Sequence, residues 1–383
     1  MREGWEIKKL GEVATFKGGG TPSKAIERYY TGNIPWASVR DMKDFRLSET
    51  EFHITNEAVE NSATNILPKG TIIISTHVGL GKICIIMQDT AINQDLKGVF
   101  LSDEIHKFYF SYWYQSISQH IIDNGKGATV KGVTMQFINS LPIPVPPLSE
   151  QTHIVAELDL LNDIIDKKRQ QLKELDALSQ SIFYDMFGDP VTNERGWKTK
   201  PLGSVGVFAR GISKHRPRNA PELLGGTTPL IQTGDVANAG MYIRKYNSTY
   251  SDLGVQQSKI WKAGTLCITI AATIGKCAIL SFDACFPDSV VGYTIDSSKV
   301  NNEYIYFLFQ WLQSILEENA PAVAQKNINL KILNSLIAPV PPLALQQQFA
   351  SRITAIEHQK QLIQASLSET ETLLQSRMDY YFN

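Results

Sequence analysis

The sequence predicts an α+β protein built from two repeated α/β globular domains, separated and closed by two long α-helices that pair as an antiparallel coiled coil. Three observations predict it. One half of the chain repeats the other, each half alternates short β-branched strands with glycine turns, and a heptad pattern follows each of two proline-rich junctions. The chain has 383 residues and is 43% apolar, so it is long enough to bury two cores.

The repeat is clearest at the junctions. The stretch "NSLPIPVPPLSEQ" at 139–151 recurs as "NSLIAPVPPLALQ" at 334–346, and "GW" at 4–5 recurs at 196–197. An offset that drifts so little over half a chain indicates a duplication followed by short insertions and deletions. The predicted boundaries are a first globular domain at 1–147, a central spacer helix at 148–190, a second globular domain at 191–342 and a C-terminal spacer helix at 343–383.

Each globular domain combines short strands with one aromatic helix. Runs such as "GTIIIST" (70–76) and "GTLCITI" (264–270) are rich in β-branched residues and begin at a glycine, which is typical of buried strands. The stretches "KFYFSYWYQSISQHI" (107–121) and "EYIYFLFQWLQSIL" (303–316) have the length of helices. This mixture of strands and helices favours an α+β fold.

A helix with apolar residues at alternating steps of four and three follows each junction. These residues are Ile154, Leu158, Leu161, Ile165, Leu172, Leu175, Ile182 and Met186 in the first helix, and Phe349, Ile353, Ile356, Ile363, Leu367, Leu374 and Tyr381 in the second. Polar residues interrupt the stripes at Lys168, Ser179, Lys360, Thr370 and Arg377. A sustained heptad predicts a coiled-coil seam, about 50 Å long for roughly 35 residues. The alternative is that each helix is buried separately on its own domain.

The prolines of the junction predict a stiff exit from each domain. Proline fixes φ, so "PIPVPPL" (142–148) is expected to be extended. Ser149 is the predicted N-cap of the first helix, and Ala344 replaces it in the second copy. A rigid exit that occurs twice would fix the angle between each domain and its helix.

Composition and motifs point away from catalysis by this chain. The net charge is −1, so a nucleic-acid partner would have to be held by local basic patches. The four cysteines form no CxxC pair, which predicts reduced, buried thiols and no metal site. The stretch "GLGK" at 79–82 does not complete a phosphate-binding loop, and no HExxH or GxSxG motif occurs. No apolar run reaches membrane-spanning length, so we expect a cytoplasmic binding protein without a membrane partner.

Basic loops recur at equivalent places in the two halves, with different residues. They are "FKGGGTPSKAIERYY" (16–30), "GKGATVKG" (125–132), "FARGISKHRPRNA" (208–220) and "AVAQKNIN" (322–329). Lys and Arg suit contacts with phosphates, and Arg, Gln and Asn can read base edges. The candidate DNA-binding residues, including two from neighbouring turns, are Lys17, Thr21, Lys24, Arg40, His77, Lys126, Lys131, Arg210, Lys214, His215, Arg216, Arg218, Gln325, Lys326 and Asn327. The alternative is that these are merely solvated loops.

With both junctions in view, the chain resembles, end to end, the specificity (S) subunits of type I restriction-modification systems, the HsdS family. The segments that carry the resemblance are "FKGGGTPSKAIERYYTGNIPWASVRDM" (16–42), "NQDLKGV" (93–99), "GATVKGVTMQFINSLPIPVPPLSEQTHIVAELD" (127–159), "TPLIQTGDV" (228–236) and "FPDSVVG" (286–292). The resemblance implies two target-recognition domains, each reading one half of a split double-stranded DNA target. The two helices would act as a spacer between them.

The resemblance also implies partners. Two modification (methyltransferase) subunits, which bind S-adenosylmethionine, would dock around the helices and junctions, and restriction subunits that use ATP and Mg would join outside them. No cofactor is expected in this chain, which would be a non-catalytic DNA-recognition subunit. The junction residues taken as partner-binding are Pro146, Pro147, Leu148, Gln151, Pro341, Pro342, Leu343 and Gln346.

Other classes of protein stay open at this point. One is a self-sufficient DNA methyltransferase or nuclease, which purified protein methylating DNA without a partner would identify. Another is a coiled-coil scaffold, which would retain no duplex selectively, either alone or with a modification partner. A silent or alternative specificity cassette has the same sequence features as an expressed subunit.

Overall fold

The computed structural model describes residues 4–127, 131–215, 217–270, 275–318 and 329–382. The chain forms two compact units. The first consists of Met1–Arg169 with Ala365–Asn383, and the second of Gln170–Gln364. Each long helix therefore contributes one end to each unit.

The two halves of the chain contain closely matching series of elements. In the first half they are the strands β1 (Glu6–Lys9), β2 (Ala14–Gly18), β3 (Ile34–Ala37), β4 (Arg46–Leu47), β5 (Phe52–Ile54), β6 (Asn65–Leu67), β7 (Ile72–Ser75), β8 (Ile83–Ile86), β9 (Thr90–Ile92), β10 (Leu96–Leu101) and β11 (Pro142–Val145), and the helices α1 (Leu10–Val13), α2 (Asn56–Glu60), α3 (Lys107–Ser116), α4 (Ser118–Asp123), α5 (Met135–Ser140) and α6 (Leu148–Phe187). In the second half they are β12 (Thr199–Pro201), β13 (Gly206–Arg210), β14 (Leu224–Leu230), β15 (Tyr242–Ile243), β16 (Ser248–Tyr250), β17 (Ile260–Trp261), β18 (Leu266–Thr269), β19 (Cys277–Leu280), β20 (Ala284–Cys285), β21 (Val290–Ile295) and β22 (Ile337–Pro339), and α7 (Thr233–Asn238), α8 (Asp252–Gln256), α9 (Asn302–Glu318), α10 (Leu330–Ser335) and α11 (Leu343–Phe382). Short 3-10 turns lie at Glu27–Tyr30, Leu202–Ser204 and Pro221–Leu223. Within the described ranges, no helix is both long and apolar enough to cross a membrane.

The sheets of the two units have the same strand order. The first unit has a five-stranded sheet ordered β2-β10-β7-β8-β4, a four-stranded sheet ordered β5-β3-β9-β6, and the pair β1-β11. The second has β13-β21-β18-β19-β15, β16-β14-β20-β17 and β12-β22. Parallel pairing also falls at matching places, between β4 and β8 and between β15 and β19. This identity of order confirms the duplication that the sequence predicts.

Each unit has a main core in which its five-stranded sheet packs with helices. In the first unit it contains Ile72, Ile74 and Val99 from the sheet, Tyr109 and Trp113 from α3, Ile154 and Leu158 from α6, and Tyr381 and Phe382 from α11. In the second unit it contains Leu266, Ile268 and Tyr293 from the sheet, Tyr304 and Leu308 from α9, Phe183 and Phe187 from α6, and Phe349 and Ile353 from α11. Since ends of both long helices enter each core, the alternative of separate burial is wrong.

The long helices α6 and α11 pair antiparallel in the first unit. Arg377 Nη2 donates to Glu157 Oε2 at 3.0 Å, and Lys168 Nζ donates to Thr370 Oγ1 at 2.7 Å. As the residue number rises along α6, the residue number of its partner on α11 falls, which defines an antiparallel pair. Lys168, Thr370 and Arg377 interrupt the apolar stripes in the sequence, and the structure shows that they contact the facing helix instead.

The same pairing holds in the second unit. Lys360 Nζ lies 2.7 Å from Asp176 Oδ1, and the rings of Phe183 and Phe349 are 5.6 Å apart between centroids. Each helix is 40 residues long. At a rise of about 1.5 Å per residue, this gives a length of about 60 Å, somewhat more than the sequence predicts.

The start of α6 differs from the prediction. The helix begins at Leu148, directly after Pro147, so Ser149 lies inside the first turn and is not the N-cap. The Pro147 carbonyl accepts from Glu150 N at 2.8 Å and from Gln151 N at 3.0 Å. Pro142 and Pro144 are extended as predicted, but they belong to β11, which pairs with β1. A strand with a single neighbour tolerates proline because one of its edges needs no backbone donor.

Candidate nucleic-acid interface

In the first unit, three loop segments meet at one end of the five-stranded sheet. They are the turn after β7, the turn before β10 and the loop after α4. Thr76 N donates to Asp95 O, and Val133 N donates to Thr76 O, both at 2.9 Å. Lys126 and Gly132 exchange two backbone hydrogen bonds of 2.9 Å, which form a bridge within the third segment. Backbone pairing therefore fixes the positions of the side chains that these segments carry.

His77 lies where these segments meet. Its side chain is 48% exposed, and Nδ1 is 3.9 Å from Asp95 Oδ1. A Cβ added at Gly132 would lie 2.7 Å from His77 Cδ2, so glycine is what lets the backbone at 132 approach the imidazole. The exposed residues Lys126 and Lys131 belong to the same segment as Gly132. The structure thus brings together three of the residues that the sequence selects.

The glycine loop after β2 reaches the same end of the sheet. Gly20 N donates to Ile92 O at 3.0 Å, and a Cβ added at Gly19 would lie only 2.1 Å from that oxygen. Beyond the glycines, the Thr21 hydroxyl donates to Gln94 Oε1. Gln94 belongs to the turn before β10, so Thr21 is tied to the segment that also carries the partner of His77.

The other selected residues of the first unit are exposed on nearby elements. Lys17 is on β2 and pairs across the ladder with Gly98. Lys24 lies on the loop that carries Thr21, and Arg40 lies in the turn after β3. Their exposure is compatible with contacts to a ligand, and the role of each in DNA binding stays a prediction.

In the second unit, the loop after β13 is held by its backbone. Arg210 is the last residue of β13. Lys214 N and His215 N both donate to Gln257 Oε1, at 2.6 and 3.1 Å. Because one glutamine holds the main chain, the side chains of Lys214 and His215 remain exposed.

Two side chains of this loop, Arg218 and His215, face carboxylates. Arg218 forms an ion pair with Asp288, and His215 Nε2 is 3.9 Å from Glu222 Oε1. Neither carboxylate belongs to 208–220, so the loop is less positive in the fold than its sequence indicates. The selected residues Arg216, Gln325, Lys326 and Asn327 lie outside the described residues.

The junction glutamines are internal clamps. Gln151 is fully buried, and its Oε1 accepts from His106 N at 2.7 Å. Its Nε2 donates to Glu104 O and to Pro146 O, both at 2.8 Å. The amide therefore ties the start of α6 to the turn before α3 and to the end of the proline segment.

Gln346 repeats this arrangement in the second unit. It is fully buried, its Oε1 accepts from Asn301 N at 2.9 Å, and its Nε2 donates to Pro341 O at 2.8 Å. The junction residues proposed for partner binding therefore differ in accessibility: Pro146, Pro341, Gln151 and Gln346 are buried, Leu343 is partly exposed, and Pro147, Leu148 and Pro342 are exposed. Partner binding stays a prediction for all of them.

The four cysteine thiols are buried. Burial raises the pKa of Cys84 and of Cys277 to about 12, and it also raises the pKa of Cys267 and Cys285. Thiols with such raised pKa values are poor nucleophiles at neutral pH. Among the residues that the structure describes, no group of three His, Cys, Asp or Glu side chains is placed to hold a metal ion.

Sequence reasoning did not select three residues that the structure places at these loops. Gln94 bonds to Thr21, Lys97 Nζ donates to Gln94 O at 3.0 Å, and Gln257 holds the second loop. A signal existed for Gln94 and Lys97, because both belong to the "NQDLKGV" segment that carries part of the family resemblance. Gln257 lies in "VQQSK", which has no such signal.

Two copies of one α+β unit, each with polar and basic side chains on loops at the end of a sheet, define a duplicated binding protein. The chain belongs to the type I restriction modification DNA specificity domain family, whose model matches residues 2–177 and 194–372. The match covers both units and leaves out only short segments.

Similar proteins of known type agree with this assignment. The type I restriction enzyme MjaIX specificity subunit of Methanocaldococcus jannaschii is 24% identical over 391 residues, covering 94% of this chain and 89% of that protein. The EcoR124I/EcoR124II specificity subunit of Escherichia coli is 36% identical over 185 residues, 46% of each chain.

Two solved structures have the same fold. The S subunit of a type I restriction-modification system from M. genitalium superposes with a TM-score of 0.61 at 13% identity, covering 99% of this chain and 96% of that one. A chain from work on complex assembly and conformational transition of the type I R-M system gives 0.62 at 17% identity, covering 100% and 98%.

Proposed function

We propose that this chain is the sequence-specific DNA-binding subunit of a type I restriction-modification complex, in which each unit reads one half of a bipartite target. One observation carries the proposal. Two copies of a single scaffold keep the same strand order and the same junction clamp, while the loops at the end of the sheet carry different side chains. A shared frame with different polar loops suits two related readers of two different half-sites.

The reaction itself is assigned to partner subunits. Modification subunits would bind S-adenosylmethionine, and restriction subunits would use ATP and Mg, with this chain supplying recognition alone. Leu148 is 47% exposed at the start of α6 and stands beside the rigid Gln151 clamp. An exposed apolar side chain on a fixed backbone is a suitable docking point for a modification subunit.

The two long helices are assigned the role of a ruler. A 40-residue helix is about 60 Å long and would span about 18 base pairs of duplex at ~3.4 Å each. Adding four residues to α6 and four to α11 at the same level of the pair should change the number of base pairs tolerated between the half-sites. An unchanged gap would contradict the spacing role of the helices, but it would not contradict the recognition of one half-site by each unit.

The experiment that tests the proposal is methylome sequencing of a host that expresses this chain with its modification subunit. The expected result is methylated adenine within one split motif, absent when either protein is omitted. Methylation by this chain alone would support the enzyme alternative. Failure of the pair to retain any duplex selectively would support the scaffold alternative.

A further inference from the structure

A cation occupies the same step of the same strand ladder in both units, but it comes from opposite strands. In the first unit Lys97 on β10 pairs with Gly18 on β2. In the second unit Arg210 on β13 pairs with Val291 on β21. The next step of each ladder contains a glycine, Gly98 on β10 or Gly292 on β21. These glycines show that the Lys97 step of the first ladder corresponds to the Arg210 step of the second.

The two cations therefore lie on the same face of equivalent sheets. Residues directly opposite on an antiparallel ladder point to one face, so exchanging them across the ladder keeps the charge in place. The side chain of Lys97 runs over Gly18, where an added Cβ would lie 3.3 Å from Nζ. In the second unit Val291 is fully buried, and the exposed side chain is that of Arg210. The cationic side chain is therefore on β10 in the first unit and on β13, the counterpart of β2, in the second.

The surroundings of Lys97 suit an anionic ligand. It borders an open groove of about 470 Å³, which is also lined by Thr15, Gly18, Met135 and Asn139. Its Nζ donates to the Gln94 carbonyl at 3.0 Å. Burial lowers the pKa of Lys97, and the charge of Asp95 offsets part of that effect, so an arriving anion would stabilise the ammonium group.

We propose that Lys97 and Arg210 are equivalent contacts to the phosphate backbone of DNA, one in each unit. This inference rests on the proposed function. A contact that tolerates exchange of its strand and of Lys for Arg needs charge at one place and no fixed pattern of donors, which distinguishes a phosphate from a base edge. In the first unit the Gln94 carbonyl accepts from Lys97, and the Gln94 side chain accepts from Thr21. The proposed phosphate contact is therefore next to Thr21, one of the candidate DNA-binding residues.

The first test compares Lys97→Gln and Arg210→Gln in the full chain with its modification subunit. Each should weaken binding to target and non-target duplexes alike, about fivefold to tenfold, and lower the slope of log affinity against log salt by about 1. The methylated motif should stay the same. Lys97→Arg should keep the wild-type slope. Lys69→Gln removes an exposed lysine at the other end of β7 and serves as the control that should change neither quantity.

The second test moves the charge across the ladder. Lys97→Val combined with Gly18→Arg rebuilds in the first unit the arrangement of the second. The φ of Gly18 lies outside the left-handed region, and the three atoms nearest to an added Cβ all belong to the Lys97 side chain, which the double variant shortens, so the arginine can be accommodated. This double variant should regain the wild-type salt slope.

The outcomes separate this inference from the proposed function. If the wild-type complex selects a bipartite target while Lys97→Gln and Arg210→Gln leave affinity and slope unchanged, the phosphate contacts are disproved. A changed base in the motif would make Lys97 a base reader and also overturn the inference. So would a double variant that behaves like Lys97→Gln. If the wild-type complex selects no target, the proposed function fails first.

Discussion

The two units are alike where each joins its long helix and unlike at the loops beyond the sheet. At the junctions Gln151 and Gln346 make corresponding hydrogen bonds, and Tyr109 OH donates to Pro144 O at 2.9 Å as Tyr304 OH does to Pro339 O at 2.8 Å. Such fully paired buried groups tolerate little change, because every substitution leaves a partner unsatisfied.

At the loops the same backbone scaffold carries different chemistry. Gly19 and Gly211 each lie against a backbone carbonyl, with an added Cβ 2.1 Å from Ile92 O and 2.3 Å from Phe286 O. Beyond them the first unit bonds Thr21 to the neutral Gln94, whereas in the second the equivalent turn carries Asp288. Main-chain contacts hold these loops, so their side chains can change without loss of the fold. After the duplication, the backbone contacts that hold these loops were kept, while the loop side chains changed.

The largest expected effect comes from making the loops alike. Replacing 210–218 with the first unit's 18–26 should abolish recognition of the second half-site and leave the first unchanged. Each lost base contact costs about 1–3 kcal/mol, so several together should reduce affinity for the original target more than a hundredfold. Methylome sequencing of the chimera with its modification subunit measures this. Equal loss of both half-sites in a protein that melts normally would contradict separate readers.

The next effect concerns the lysines in the helix pair. Lys360 lies 2.6 Å from Glu357, whose side chain is 9% exposed, whereas Lys168 bonds to the hydroxyls of Ser366 and Thr370. Lys360→Met should lower the free energy of unfolding by about 3 kcal/mol, because it leaves a buried carboxylate with a weaker partner. Lys168→Met should cost about 1 kcal/mol, because it removes hydrogen bonds and strands no charge.

Urea denaturation of both methionine variants checks this difference. Arg244 lies 3.9 Å from Glu357 and can compensate in part for the loss of Lys360. Lys360→Met combined with Glu357→Met also removes the buried carboxylate, and should therefore recover much of the lost stability. Equal costs for Lys168→Met and Lys360→Met would show that the two helix segments do not differ in the way that their partners indicate.

A smaller effect should be the same in both units. Gln151→Met and Gln346→Met keep the volume of the side chain but leave backbone groups of the junction unpaired. Each should lower the free energy of unfolding by about 2 kcal/mol. The measurement is urea denaturation of each variant, and Gln170→Met on the exposed side of α6 is the control. A cost confined to one variant would show that the two clamps are not equivalent.

The repeat, the strands and the helix pairing could be predicted because each leaves a period in the sequence. The polar interruptions could be located but not explained, since the contact of Lys168 with Thr370 depends on a partner far along the chain. The repetition of Gln151 in the second half indicates that the residue is important, but not what it contacts. Its hydrogen bonds to His106 N and Glu104 O join parts of the chain that no local pattern relates.

The loops were harder to predict because distant residues set their charge and shape. Asp288 neutralises part of a loop whose own sequence is basic. Lys97 was missed for a different reason. Its counterpart Arg210 is on the other strand of the ladder, so the two cations never share a column when the halves are aligned. Only strand pairing reveals that they are equivalent.

The smallest expected effect depends on pH and belongs to the first unit. Arg377 and, to a lesser extent, Tyr381 hydrogen bond to Glu157 and lower the pKa of its carboxyl, despite partial burial. A lowered folded-state pKa stabilises the protein above the unfolded value of about 4.3, and that stability is lost as the pH falls through the folded-state value. The pair should contribute about 1 kcal/mol at pH 7, since both side chains are partly exposed.

Glu157→Gln should therefore be less stable than the wild type at pH 7, and the difference should shrink as the pH falls below about 4. Melting curves between pH 3 and pH 7 measure it. Asp166→Asn is the matched control, because Asp166 is 78% exposed and lies 3.8 Å from Arg169 on its own helix. A pH-independent difference between Glu157→Gln and the wild type would mean that packing, not charge, accounts for the contribution of Glu157. In the second unit, the carboxylates of Asp176 and Glu357 pair with Lys360 in the same pair of helices. The same pH series on Lys360→Met measures whether charge contributes as much to stability there as it does in the first unit.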